Sequence, residues 1–338
     1  MTANPVLVEL TRGRLVESVH RGAVAVADAR GNIRFALGDL DTPVYPRSSL
    51  KPIQALPLVE SGAADAFGLS AEDIALACAS HSGEPMHTGR VTAWLERIGC
   101  GEGDLACGPH LPRYEPAAEA MIRRGEAPTR VHNNCSGKHA GFLTVARHWD
   151  IATKGYELHD HPVQRAVAAA LGELAGIAGE LPWGVDGCAA PNFALPLASL
   201  ARAFALAASP GSLAPERARA FSRIVSAMMA HPELVSGTGR ACAILMRSAG
   251  GRAAVKIGAE GFYAAMLPQA GLGVAIKIDD GASRAAETAM AAILDGLGAL
   301  GDGAQARALL RAPILNTRGA EVGERRAAPA LTGLRIGL

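Results

Sequence analysis

Apolar and polar residues alternate weakly from Val6 to Leu10, the signature of a strand half-buried on one face. Gly22–Ala27 and Ile33–Leu37 predict a strand pair, with Arg30-Gly31-Asn32 as the turn between them. A helix is expected from about Ser48 to Glu60, with Pro52 in its first turn, where proline is tolerated, and Gly62 as its stop. Ser70-Ala71-Glu72-Asp73 reads as a capping box ahead of an apolar helix, Ile74–Ala79. Pro85 opens another helix to about Ile98. A Gly/Pro-rich loop covers Gly101–Pro116, and a short helix covers Ala117–Arg124. The polar block Val131–Gly141 feeds an apolar helix that ends near Trp149. Further helices are expected at His161–Ile177, Phe193–Ala208 and Pro215–Ala230, with a short extended piece at Trp183–Gly187. Ala253–Ile257, Phe262–Leu267 and Leu272–Ile278 read as three strands, and Ala282–Leu297 as a long Ala-rich helix. After Asp302 the pattern gives one short helix and then an Arg/Gly/Pro tail that it does not place. No period repeats. Strands near both ends with helices between them predict an α+β fold, an antiparallel sheet built from N- and C-terminal strands and packed with helices.

Composition narrows the function classes. The 338 residues are 49% hydrophobic, ample for a sizeable core, but aromatics are only 4%, so alanine and valine must fill it. Net charge is +1, and no basic run interleaves with aromatics, which argues against nucleic acid as a partner. Met1–Leu15 lacks a basic segment followed by an apolar run, and no stretch approaches ~18 uninterrupted apolar residues. The cytoplasm is therefore the expected compartment, with no membrane partner. There the cysteines at 78, 100, 107, 135, 188 and 242 are expected as reduced thiols or metal ligands rather than disulfides.

The candidate chemistry starts from lysine. Positive charge is almost all arginine, with lysine only at 51, 138, 154, 256 and 277. Lysine can give up its proton when desolvated; arginine cannot. In Ser48-Ser49-Leu50-Lys51, serine and lysine lie one helical turn apart, so a desolvated Lys51 could take the hydroxyl proton of Ser48. The alternative is a helix start with Ser48 as N-cap and Lys51 in solvent. Ser80 and Lys256 form a second candidate pair. Lys256-Ile257-Gly258 has the K-x-G pattern found on a strand beside serine β-lactamase active sites. An ordinary strand lysine and helix-end serine would read the same way. Cys135, Lys138 and Cys188 offer two soft sulfurs with nitrogen, which suits zinc. Lysine is a rare zinc ligand, His132 and His139 are nearby alternatives, and two unconnected cysteines are the plain reading. Gly237-Thr238-Gly239-Arg240 could bind an anion through backbone N–H groups and the arginine, or be a simple turn.

Together, five blocks resemble the rhizobial-type L-asparaginases of the asparaginase II family. They are Pro46-Arg47-Ser48-Ser49-Leu50-Lys51-Pro52, Ser80-His81-Ser82-Gly83-Glu84, His132-Asn133-Asn134-Cys135-Ser136-Gly137-Lys138-His139, Asp186-Gly187-Cys188 and Lys256-Ile257-Gly258-Ala259-Glu260-Gly261. The resemblance runs in order from about Val6 to Ala299. It implies a fold similar to serine β-lactamases and glutaminases. It also implies one catalytic unit over 1–338, with a helical subdomain around 60–250, and a homodimer. The implied activity is hydrolysis of L-asparagine to L-aspartate and ammonia. Carried over residue by residue, Ser48 would be the nucleophile and Lys51 its base, with Ser80 and Lys256 as a second pair. Cys135, Lys138 and Cys188 would hold zinc, and Arg47 and Asp186 would help bind the substrate. Three rivals stand beside this reading. The nearest is a glutaminase or broader amidohydrolase on the same scaffold. Another is a catalytically silent, zinc-stabilised binding protein. A penicillin-binding type of enzyme is the third, and it would usually carry the S-D-N motif, absent here.

Overall fold

The strands at the two ends of the chain meet in one antiparallel sheet in the computed structural model, which describes residues 3–336. Across the sheet the order is Arg311–Leu315, Glu321–Ala327, Val6–Arg12, Leu15–Asp28, Leu272–Ile278, Phe262–Leu267 and Ala254–Ile257. Ile33–Leu37 pairs on Leu15–Asp28 as well. The C-terminal tail, which its pattern left unplaced, therefore supplies two strands. Val8, Glu9 and Leu10 pair with Ala327, Arg326 and Arg325. Arg311–Leu315 forms the sheet's edge, while Glu321–Ala327, with two arginines and two glutamates, is paired on both sides. Gly323 is required there: a Cβ would sit 1.9 Å from the Thr11 carbonyl oxygen.

The chain divides into two compact units. The sheet unit comprises 1–49, 194–209 and 244–338; the helical unit comprises 50–193 and 210–243. In the sheet unit Leu272–Ile278 is buried at six of seven positions, so both of its faces are covered. The Leu197–Ala208 helix lies directly on it: a Cβ at Gly273 would be 2.1 Å from the Ala205 nitrogen and 2.2 Å from the Ala201 oxygen. Alanine and glycine thus do the packing that the scarcity of aromatics demands. The expected helix at Phe193–Ala208 starts late. Phe193 closes a short strand paired with Trp183, Leu195-Pro196 pairs with Pro43-Val44, and helix begins only at Leu197. Pro196, held in the extended region at ψ 143°, sets that boundary.

The helical unit is built around Ser136–His148, buried at every position from Ser136 to Ala146. Trp94 donates to Thr144 Oγ1 (2.9 Å), and Thr144 in turn donates to the Ala140 carbonyl, so the buried polar atoms are satisfied. The capping box at Ser70 forms as its sequence predicts, with Asp73 closing it. Asp73 is 1% exposed and also accepts from Arg90 (3.1 Å) and Arg97 (3.2 Å). The expected helix after Ser48 is broken into a 3-10 turn, Arg47–Leu50, and short helices at Lys51–Gln54 and Leu56–Glu60.

Burial raises the Asp73 pKa, but bonds from Ser70 and Arg90 outweigh it and hold the carboxyl below its usual value. Its contribution is therefore present at neutral pH and lost as pH falls through the lowered folded-state pKa. Asp73→Asn is expected to cost about 2 kcal/mol at pH 7. The gap from wild type in urea-unfolding midpoints should shrink below about pH 4; an unchanged gap would show that the charge is not what matters.

Candidate active site

Lys51 lies at full burial as the first residue of its short helix, with Leu50 rather than Ser48 at the N-cap. The solvent-facing reading of Lys51 is thereby replaced. Its ammonium donates to the Ala79 carbonyl, to Ser80 Oγ (3.1 Å) and, at the edge of bonding range, to the Asn134 carbonyl (3.5 Å). Burial pulls its pKa down; Cys135 and Cys188 pull it back up, and Lys138 adds to the lowering. Ser80 is held at the C-terminal end of the Ala71–Ala77 segment by its own N–H, which donates to the Val235 carbonyl (2.9 Å).

The second cluster forms where Ser136–His148 begins. Cys135 precedes the helix, Lys138 lies in its first turn, and Cys188 comes from the turn after Trp183–Val185. That turn is tight: Asp186 N–H donates to Ala190 O, and Ala189 takes a left-handed φ of 74°. Lys138 donates to Cys188 Sγ at 3.0 Å. The Cys135 thiol bond and the Lys138 charge bring Cys188 down to about 4, making it a thiolate. Interaction with Cys188, together with burial, pushes Cys135 up to about 12, and its thiol donates to Asn134 Oδ1 (3.1 Å). Burial alone would discharge Lys138, but the sulfur charges and the bond to Cys188 raise its pKa instead. The cysteines are thus not unconnected. Two sulfurs and one nitrogen, with one sulfur already anionic, offer zinc three donors once Cys135 and Lys138 give up their protons. Among the described residues no three of His, Cys, Asp and Glu gather around a point; the third donor here is a lysine. His139 bonds Tyr156 Oη through Nδ1 (2.6 Å), and burial beside Lys138 takes its pKa down to about 3. His132 Nδ1 accepts from Thr129 N–H.

The remaining candidates fall as follows. Lys51, Ser80, Cys135, Lys138 and Cys188 come together in the helical unit. Asp186, in the same unit, accepts from the Gly187 N–H (2.6 Å). Gly239 and Arg240 lie exposed on a turn closed by Arg240 N–H to Gly237 O (3.2 Å). Lys256 belongs to the sheet unit, fully buried, with Nζ on the Ile257 carbonyl (2.7 Å). Its own carbonyl accepts from Ser49 Oγ (2.7 Å), so it is the neighbour of Ser48 that touches the Lys256 strand here. Ser48 is half-buried in the 3-10 turn, and Arg47 before it is held at φ 53°, a conformation L-residues rarely adopt.

Sequence reasoning missed the scaffold behind these groups. Glu84 is 6% exposed and accepts from Ser82 Oγ (2.7 Å), Thr238 N–H (2.9 Å) and Thr238 Oγ1 (2.7 Å). Burial raises its pKa, and these bonds lower it further than burial raises it. His81 accepts from the Gly83 N–H through Nδ1, leaving Nε2–H for Ser136 Oγ (2.9 Å). Both residues stood in quoted blocks, but nothing in their spacing announced their partners.

The described sequence matches the profile of the family L-asparaginase II over residues 8–327. No curated protein matches it closely enough to count as a relative. Among solved structures, Mglu in its native form is similar at 16% identity and a TM-score of 0.47, over 81% of this chain and 63% of that one. The chain thus spans less than two thirds of Mglu. A β-lactamase from Mycobacterium bovis is similar at 14% identity and a TM-score of 0.41, over 81% and 94%.

Gly137 and Gly141 test the packing under the site. A Cβ at Gly137 would lie 2.4 Å from the Leu76 carbonyl oxygen, while one at Gly141 would find only ordinary contacts at 3.5–3.8 Å. Gly137→Ala is expected to destabilise by about 2–3 kcal/mol, and Gly141→Ala by less than about 1 kcal/mol. Equal urea midpoints for the two variants would refute the close approach.

With the family match spanning nearly the whole chain, the protein belongs to the L-asparaginase II family.

Proposed function

We propose that the protein hydrolyses L-asparagine to L-aspartate and ammonia through a serine activated by Lys51. The observation that carries this reading is the hydrogen bond between Lys51 Nζ and Ser80 Oγ at full burial of the lysine. A neutral amine there can donate to the Ala79 and Asn134 carbonyls and turn its lone pair to the serine hydroxyl. The lowered pKa of Lys51 favours that neutral form. The serine oxygen attacks the side-chain amide carbon as its proton passes to Nζ. The tetrahedral intermediate collapses, the proton returns to the leaving nitrogen, and ammonia departs. Water then hydrolyses the β-aspartyl ester, so one hard step becomes two easier ones.

On this geometry Ser80 is the serine paired with Lys51. Ser48, the nucleophile implied by the resemblance, belongs with Lys256 to the sheet unit, where it is Ser49 that bonds the Lys256 carbonyl. Arg47 and Asp186 serve the substrate's charged groups. Cys135, Lys138 and Cys188 hold zinc. When bound, the ion would supply a Lewis-acidic anchor for the substrate's amino group. Without it, Lys138 and Cys188 compensate one another as an ion pair. The resemblance adds a homodimer. Among the described residues no helix is long and apolar enough to cross a membrane.

Ammonia release from L-asparagine and L-glutamine, measured side by side with and without a chelator, tests the reading. Release from asparagine is expected to dominate, and glutamine dominance would move the protein to the glutaminase alternative. Ser80→Ala and Lys51→Met should each lower turnover by at least ~10²-fold. If only Ser48→Ala does so, Ser48 is the partner of Lys51 instead. Elemental analysis should find zinc in the wild-type protein and about tenfold less in Cys188→Ser; equal content would remove Cys188 from the ligand set.

A further inference from the structure

Arg113 and Arg240 carry exposed charges that the helical unit leaves unanswered, as it does for Arg165, but these two sit on loops bound to the same strip of chain. Among the described residues the guanidinium groups of Arg113 and Arg240 make no hydrogen bond and no ion pair, and both are exposed. Most other arginines in exposed positions here have a carboxylate or carbonyl partner, as Arg123 has Glu119 and Arg307 has Asp295 and Asp302. Arg113 and Arg240 instead feel one another: the surrounding protein and then the Arg240 charge disfavour the Arg113 charge, and Cys135 opposes both. Holding two like charges near each other costs free energy unless an anion joins them.

Their backbones are not free to drift apart. Both are tied to one strip, Ser82-Gly83-Glu84, two residues after Ser80. Arg113 N–H (2.8 Å) and Tyr114 N–H (3.1 Å) share the Ser82 carbonyl. Gly83 takes φ 72° with Pro112 so close that a Cβ would meet it at 3.1 Å. From the other side, Thr238 binds Glu84 through its N–H and its hydroxyl, and Ser82 Oγ donates to the Ser236 carbonyl (3.2 Å). Gly237 at φ 125° approaches so closely that a Cβ would stand 1.7 Å from Ser82 Oγ. Three loops are thus locked by main-chain bonds and two obligatory glycines. What they carry are two guanidinium groups, each a fork of N–H donors of the kind that pairs with a carboxylate.

We propose that Arg113 and Arg240 together form the receptor for the α-carboxylate of the amide substrate and so restrict the enzyme to amino-acid amides. This rests on the proposed amidohydrolase reading for the identity of the ligand. The paired arginines themselves require only an anion. Sequence inspection had picked out Arg240 alone; Arg113 lies in a Gly/Pro-rich loop with no motif around it.

Arg113→Gln, Arg240→Gln and the double variant test the proposal, with Arg113→Lys as the conservative control. Neither guanidinium holds a described partner, so urea midpoints should match wild type and folding should not confound the result. Each single variant is expected to raise KM for L-asparagine at least tenfold with kcat within about threefold, and Arg113→Lys to recover part of the loss. Hydrolysis of the diamide of L-aspartic acid, which lacks the α-carboxylate, should be unchanged. An unchanged KM for asparagine, or an equal loss on the diamide, would overturn the proposal. Calorimetric binding of succinate and of inorganic phosphate separates this from the reaction itself. If wild type fails to hydrolyse asparagine yet binds succinate, and the glutamine variants bind it at least tenfold more weakly, the receptor stands and the amidohydrolase reading falls. Phosphate binding as tight as succinate binding would mark a general anion site and overturn the assignment to substrate.

Discussion

Burying ammonium groups beside sulfur is the constraint on which the helical unit turns. Lys51 is fully buried and Lys138 nearly so, and their nearest counter-charge is the Cys188 thiolate. Sulfur is larger and less strongly hydrated than a carboxylate, so it can be dehydrated at lower cost, and a thiolate remains available to a metal. One negative sulfur cannot hold both lysines charged with equal ease. Lys138, in direct contact with it, has its pKa raised; Lys51, further along the chain of contacts, has its own lowered. Contact with that buried charge thus sets Lys138 apart from Lys51, whose pKa burial lowers.

Around that core the architecture is a set of close approaches. Gly137 against Leu76, Gly237 against Ser82 and Gly273 against the Leu197–Ala208 helix each leave no room for a methyl group. A chain with few aromatics cannot wedge its elements apart with large rings. It brings backbones together, and the polar groups then sit close enough to bond one another. Glu84 shows the result, with a fully used carboxylate in a part of the protein where a free one would be expensive.

Much of this was legible in the sequence. Capping at Ser70, the three strands after Ala253 and the polar block opening Ser136–His148 follow from periodicity and local hydrogen-bonding rules, which depend on neighbouring residues. The late start of the helix at Leu197 and the strands at Arg311–Leu315 and Glu321–Ala327 were not, because distant partners decide them: Pro43-Val44 for one and Val6–Arg12 for the other. The same division runs through the site. The lysines and cysteines announced themselves by rarity and spacing. Pairing of Lys51 with Ser80, across 29 positions, and the support from Glu84, across 154, are properties of the folded chain alone.

The pairing of Val6–Arg12 with Glu321–Ala327 bears on how the protein is made. Thr11 and Glu324 bond across a separation of 313 residues, so the earlier strand waits during synthesis for a partner made 313 residues later. Most of the helical unit, 50–193, emerges in between as nearly continuous chain and can collapse on its own contacts. Vectorial synthesis would therefore hold the opening hairpin with an unpaired edge throughout elongation. That interval is when a chaperone, or another nascent chain, has its best opportunity to bind it.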